Sequence, residues 1–241
     1  MLDESRFLRY NIFDNRKLNE GGTCMAMISA SVLNGDLAHL AETAQTVRES
    51  GADALHYDVM DGMFVDNLSF GLPVLSSLRP CTDLPVDVHL MIQNPLKVIS
   101  RFVKAGADLL SVHIESSSDT VQTLRAIQEA GIPAGIAVSP DTPVSVLNPL
   151  LPLLRPQDFI LLMTVYPGLG GQAFLPQVLP KIVELRQMLR AADISAHIQV
   201  DGGINDRTGA QCREAGADYL VAGSYLLGAE DPAEAVRLLR G

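Results

Sequence analysis

Cysteine is scarce in this chain, lysine is nearly as scarce, and a basic surplus is missing altogether. The three cysteines, Cys24, Cys81 and Cys212, are odd in number and widely spaced, which excludes a disulfide framework and CxxC redox chemistry and suits free thiols in a reducing cytoplasm. The four lysines, Lys17, Lys97, Lys104 and Lys181, lie in the first 24 residues or in helical patterns. No strand end therefore offers a Schiff-base lysine, and a lysine-dependent aldolase is disfavoured. With a formal net charge of −10, the chain lacks the positive patch that nucleic acid or an acidic membrane surface requires. It also has no uninterrupted apolar stretch of the roughly 18 residues needed for a transmembrane span. Residues 1–24 mix charges with scattered aromatics and lack the apolar segment of a signal peptide, so an extension is expected there, with a single domain over 25–241. Met25 and Met27 mark where an alternative start would fall.

What the chain does have is apolar content, 47% of 241 residues, enough for a large packed core. From residue 26 short apolar runs alternate with longer amphipathic stretches, the pattern of βα units around a parallel sheet. Eight runs qualify as strands: "AMISASVL", "ALHYDVMD", "PVDVHLMI", "LLSVHIES", "PAGIAVSP", "FILLMTVYPG", "AHIQVDGG" and "YLVAGS". Between them lie helical patterns such as "LAHLAETAQTVRES", "PLKVISRFVKAG", "TVQTLRAIQEAG" and "PQVLPKIVELRQMLRAA", and "DPAEAVRLLR" ends the chain. A short phrase recurs where helix gives way to strand, and its glycines Gly51, Gly106, Gly131 and Gly216 have the character of left-handed helix stops. Eight such units with internal recurrence predict an α/β fold of the (β/α)8 TIM-barrel type, with an open doubly wound sheet as the alternative.

In such a barrel the chemistry sits at the C-terminal ends of the strands. Side chains alternate along a strand, so His56 shares a face with Asp58, and Asp87 with His89; Asp201 ends the seventh run. A lone histidine in a strand is more commonly a hydrogen-bonded core residue than a ligand. Convergence of His56, Asp58, His89 and Asp201 changes that balance, because two imidazoles and two carboxylates suit Zn, Fe(II), Mn or Co. His113, beside Glu115, is expected to stand behind the ligands, while His39 and His197 are structural or solvated. A second set comprises the glycines of "PGLGGQ", "DGG" and "AGS", which end the sixth, seventh and eighth runs. Taken singly they permit tight turns; as three adjacent clusters they offer backbone N–H groups to a phosphate without any Lys or Arg. Met60, Met91 and Met163 lie near strand ends, where they are either core filler or an apolar cap over a reacting centre. The "DVHLM" stretch lacks the lysine of the barrel decarboxylases, and Ser31 and the cysteines have no evident triad partner.

Seven stretches in this order, "SVLNGDL", "HYDVMDGMFVDN", "DVHLM", "PDTP", "LLMTVYPGLGGQAF", "VDGGI" and "VAGS", resemble the ribulose-phosphate 3-epimerases from about residue 27 to 228. The resemblance implies one divalent metal ion on His56, Asp58, His89 and Asp201, with Asp58 and Asp201 also acting as the acid/base pair. It implies an enediolate cap of Met60, Met91 and Met163, and substrate and phosphate contacts from Ser31, His89, Gly168, Gly170, Gly171, Gly202, Gly203, Gly223 and Ser224. The implied reaction is 3-epimerisation of a ketose phosphate, D-ribulose 5-phosphate to D-xylulose 5-phosphate, by a cytoplasmic homo-oligomer, a dimer or hexamer. Six positions depart from the usual family text: Ala30, Asn34, Met63, Asp66, Ile114 and Ser139. They are expected around the substrate pocket, which keeps a hexulose 6-phosphate as the alternative substrate. A sugar-phosphate-binding protein without turnover is the alternative of a different class.

Overall fold

A computed structural model describes residues 25–116 and 118–241, so the extension expected over 1–24 lies outside the described residues. The eight apolar runs form β1 Met27–Ser31, β2 Ala54–Met60, β3 Val86–Met91, β4 Leu109–His113, β5 Ala134–Val138, β6 Phe159–Met163, β7 His197–Asp201 and β8 Tyr219–Ala222. They pair in sequence order and all in parallel, and β8 returns to β1 to close the barrel. The helices around it are α1 Leu40–Glu49, α2 Leu72–Leu78, α3 Ile99–Ala105, α4 Thr120–Glu129, α5 Leu179–Ala191, α6 Asp206–Ala215, α7 Ser224–Leu227 and α8 Pro232–Arg240.

Strand alternation divides the core in two. Outward residues such as Ile28, Tyr57, Val88, Val112, Ile136, Ile160, Ile198 and Leu220 pack with the helices in one continuous cluster. Inward residues Met27, Ala54, Leu109, Ala137, Phe159, Leu161 and Tyr219 fill the barrel itself. Phe159 needs a hole across from it: a Cβ on Gly135 would overlap its ring, so that strand position takes only glycine. Above this apolar floor the inward positions turn polar, with Ser29, His56, Asp87, Ser111, His113 and Gln199 all buried.

The N-terminal rim is fastened by a fourfold device. An aspartate stands immediately before each even strand, and its carboxylate accepts the backbone N–H of a residue that opens the neighbouring odd strand. Asp53 takes Ile28 N at 2.8 Å, Asp108 takes Val86 N at 2.9 Å, Asp158 takes Ala134 N at 2.9 Å and Asp218 takes Ile198 N at 2.9 Å. Each aspartate also pairs with an arginine, namely Arg240, Arg79, Arg155 and Arg186 in the same order. The barrel is thus closed at its base by four charge-assisted clamps.

The expected helix stops are present, with positive φ at Gly51, Gly106, Gly131 and Gly216. Two expectations need correction. The run "FILLMTVYPG" is a strand only to Met163, because Thr164 to Gly168 leave the ladder to form the loop over the barrel mouth. The crossover from β5 to β6 carries only short 3-10 turns, Val144–Leu147 and Leu151–Leu153, where a βα unit would place an α-helix. Pro140, Pro143, Pro149, Pro152 and Pro156 explain this, since each removes an amide donor and crowds the preceding turn.

Candidate active site

Parity along β2 and β3 sends His56, Asp58 and Met60, and Asp87, His89 and Met91, into the barrel, while β7 ends on the inward Asp201. His56 Nε2 lies 3.2 Å from Asp58 Oδ1 and 3.7 Å from Asp201 Oδ2. His89 Nδ1 lies 3.3 Å and 3.9 Å from the same two oxygens. The four donor atoms fall within 4.8 Å of one another.

Both of these ring nitrogens are buried and make no well-formed hydrogen bond, an arrangement that one shared cation would relieve. Donors bonded tetrahedrally to one cation at about 2.1 Å lie about 3.4 Å apart, within the span of these contacts. The electrostatics agree. Burial, and then the Asp58 and Asp87 carboxylates, push Asp201 up to about 7 against the opposing pull of His56. Burial also works against charge on Asp58, yet His56 and His89 outweigh it and hold that carboxyl far below its usual range. Without a cation the two carboxylates cannot comfortably ionise together; a divalent ion removes the conflict, so the residues present fit a metal.

Around these donors the orientation is fixed from behind. Asp87 Oδ2 accepts Nδ1–H of His56 at 2.8 Å and Nε2–H of Gln199 at 2.5 Å, which turns His56 Nε2 toward the cluster. Ser31 Oγ donates to Asp58 Oδ2 at 2.7 Å and leaves Oδ1 facing the imidazoles. Sequence reading placed Asp87 on the His89 face but gave it no task, and it passed over Gln199. A Gln two residues before Asp201 inside an apolar strand was the available signal.

The cluster forms one end of a pocket with about 530 Å³ of empty space that opens at the C-terminal face. Ser31, Asp58, Met60, Met91, Met163 and Asp201 line this end, with His56 and His89 fully buried behind them. Gly168, Gly170, Gly171, Gly202, Gly203, Gly223 and Ser224 line the other, and among the described residues no Lys or Arg lines the pocket. Gly203 is glycine for a backbone reason, since its φ is +64° and a Cβ would overlap the chain at Phe174. Asp61 orders the β2 loop by accepting Met63 N at 2.9 Å, Phe64 N at 2.8 Å and Gln93 N at 2.8 Å. Asn67 then ties that loop to the glycine loop through Gly168 O at 2.9 Å. Of the other histidines, His39 is exposed and pairs with Asp36 at 2.9 Å, while His197 is buried at the start of β7, away from the cluster.

The ribulose-phosphate 3 epimerase family model matches residues 27–227. The chain belongs to that family. It is 47% identical over 220 residues to a ribulose-phosphate 3-epimerase of Mycobacterium tuberculosis (strain ATCC 25618 / H37Rv), covering 91% of this chain and 94% of the relative. It is 44% identical over 218 residues to that of Bacillus subtilis (strain 168), covering 90% and 99%. Among solved structures, a 3-hexulose-6-phosphate synthase matches with a TM-score of 0.63 at 21% identity, over 90% of this chain and 98% of that one. A KGPDC from Streptococcus mutans matches with a TM-score of 0.66 at 15% identity, over 89% and 95%. These two likenesses carry the barrel fold alone.

Within the epimerase family the six departures were expected around the pocket, and the structure corrects this: Asn34 alone lines it. Ala30 points outward into the helix-packed core, and Ile114 packs against the same layer. Met63 and Asp66 are exposed on the β2 loop, and Ser139 uses its N–H to bind Glu115 at 2.8 Å. Asn34 fills space that a Cβ on Gly170 or Gly223 would need, so its side chain abuts both glycine clusters.

Proposed function

We infer that this chain is a metal-dependent ketose-phosphate 3-epimerase that interconverts D-ribulose 5-phosphate and D-xylulose 5-phosphate. The observation that carries the reading is one pocket with two carboxylates among four converging donors at one end and glycine-rich turns at the other, with no basic side chain among the described residues that line it. Epimerising C3 of a 2-ketose requires removing the proton next to the C2 carbonyl from one face and returning one to the other. Asp58 on β2 and Asp201 on β7 approach the pocket from different sides of the barrel, so one accepts the proton while the other donates. His56, Asp58, His89 and Asp201 hold the divalent ion, and Zn, Fe(II), Mn and Co all match this N/O set. When bound, the ion supplies Lewis-acid stabilisation of the negative charge that builds on the substrate oxygens.

The other residues serve binding and exclusion of water. Ser31 keeps Asp58 oriented, and Met60, Met91 and Met163, each the last residue of its strand, close the reacting end with apolar surface. Gly168, Gly170, Gly171, Gly202, Gly203, Gly223 and Ser224 bind the phosphate through backbone N–H groups. That is how a chain of net charge −10 holds an anion. A homo-oligomer, dimer or hexamer, follows from the family resemblance. Localisation in the cytoplasm is part of the same reading, and among the described residues no helix is long and apolar enough to cross a membrane.

The test is a substrate panel on metal-reconstituted protein. D-Ribulose 5-phosphate should turn over with the highest kcat/KM, and a chelator should abolish the activity. Preference for a hexulose 6-phosphate would move the substrate assignment. Saturable binding without turnover would make the protein a sugar-phosphate binder.

A further inference from the structure

His113, fully buried at the end of β4, reaches the cluster of donors without joining it. Its Nε2 lies 3.0 Å from His89 Nε2, and its Nδ1 lies 3.0 Å from Glu115 Oε2. The second carboxylate oxygen, Oε1, accepts the N–H of Ser139 at 2.8 Å. Hydrogen-bond logic then assigns every proton in the chain. His89 turns Nδ1 toward Asp58 and Asp201, so for that nitrogen to offer a lone pair the ring proton must sit on Nε2. His113 Nε2 must accept it, and His113 must carry its own proton on Nδ1. Glu115 closes the sequence because a carboxylate only accepts.

The two imidazoles of the cluster are therefore held by opposite nitrogens. His56 is gripped at Nδ1 directly by the Asp87 carboxylate, whereas His89 is gripped at Nε2 through a second imidazole that passes the demand outward to Glu115. Packing fixes the ring planes as well. The His89 and His113 rings meet edge to edge, their planes inclined by 27° and their centroids 5.0 Å apart, and the Phe64 ring centroid lies 4.7 Å from that of His113. The Glu115 side chain is 26% exposed while both rings are at 0%, so the chain of contacts runs from the protein surface to the donor cluster.

We propose that Glu115 and His113 are positioning residues for the divalent metal: acting through His89, they set the tautomer and ring orientation that metal binding requires. The proposal rests on the metal-binding reading above and deepens it. A pair with a merely structural role would alter the stability of the metal-free fold and leave affinity for the ion untouched.

Glu115→Gln and His113→Gln separate the two. Gln at 115 keeps one acceptor oxygen where the carboxylate offers two to His113, Ser139 and Thr142, and its partly exposed position spares the core. The parent and both variants are titrated with Co(II) in competition with a chromophoric chelator. The visible spectrum of the Co(II) protein and the thermal midpoint of the metal-free protein are recorded alongside. The expected result for both variants is Co(II) affinity weaker by about 10–100-fold and a changed Co(II) spectrum, with the metal-free midpoint of Glu115→Gln close to that of the parent. Affinity and spectrum equal to the parent's in Glu115→Gln would overturn the proposal, whether or not the midpoint falls. If His113→Gln does not fold, Glu115→Gln decides alone. A parent protein that binds no Co(II) would overturn the metal reading itself, an outcome distinct from unchanged variants of a binding parent.

Discussion

Each carboxylate of the pair meets a different surrounding at the residue scale. Asp58 faces two imidazoles and the Ser31 hydroxyl, whereas Asp201 faces other carboxylates and takes only the longer contacts of 3.7 and 3.9 Å to the rings. Replacing Asp201 by Asn removes a proton carrier and a metal donor while preserving shape. Turnover should fall by about 10²–10⁴-fold or more, with an unchanged circular dichroism spectrum. An Asp201→Asn protein with near-parental turnover would remove the two-carboxylate mechanism. The thiols give an independent check of the buried layer. Burial pushes the Cys212 thiol up to about 12, with Arg213 only partly opposing, so the thiol form prevails at pH 8. Cys81 is exposed. A thiol reagent at pH 8 should label Cys81 in the native protein and reach Cys212 only on unfolding, as peptide mapping would read out. Rapid native labelling would contradict the burial of Cys212 in α6.

Elements carry the next set of consequences. The four Asp–Arg clamps do for the base of the barrel what the ladder does for its wall, because each ties the start of one strand to the next. Asp158→Ala would leave the buried Ala134 N–H without its acceptor and take from Arg155 its carboxylate partner, leaving it only the carbonyls of Gln128 and Ile132. The expected cost is about 2–4 kcal/mol, seen as a lower denaturation midpoint with metal affinity intact, since the site lies at the opposite end. Loss of metal affinity at unchanged stability would contradict this separation of the two ends. The eight strands were legible because a strand buried on both faces reads as a continuous apolar run, and the helix stops because only glycine takes a left-handed turn cheaply. Less was legible in three places. Strand ends were overrun where apolar text such as "TVYPG" continues into a loop. The helix-free crossover was missed although its prolines announced it. In the recurring phrase the glycine was noticed, but the aspartate two residues on in "SGAD" and "AGAD", which is the clamp, was not. Its partner arginines come from distant positions such as Arg240 and Arg79, and no local pattern links them.

At the scale of the whole molecule, the fold separates stability from chemistry. Apolar floor and clamps occupy the N-terminal half of the barrel, and the polar layer, the donors and the glycine loops occupy the C-terminal half. All the residues singled out by sequence as metal, cap and glycine groups line or floor one pocket. They were legible because ionisable residues in buried strands are costly and stand out. Of the supports behind them, His113 beside Glu115 was expected, whereas the tasks of Asp87 and Gln199 were not legible, since they act across strands that sequence order does not bring together. The position of five of the six family departures outside the pocket likewise needed the closed barrel. The most direct measurement follows D-ribulose 5-phosphate by NMR in D2O with metal-reconstituted protein. The account predicts D-xylulose 5-phosphate bearing deuterium at C3, with both conversion and exchange lost on adding a chelator or in Asp201→Asn. No conversion despite bound metal, or conversion with the C3 proton retained from the substrate, would contradict it.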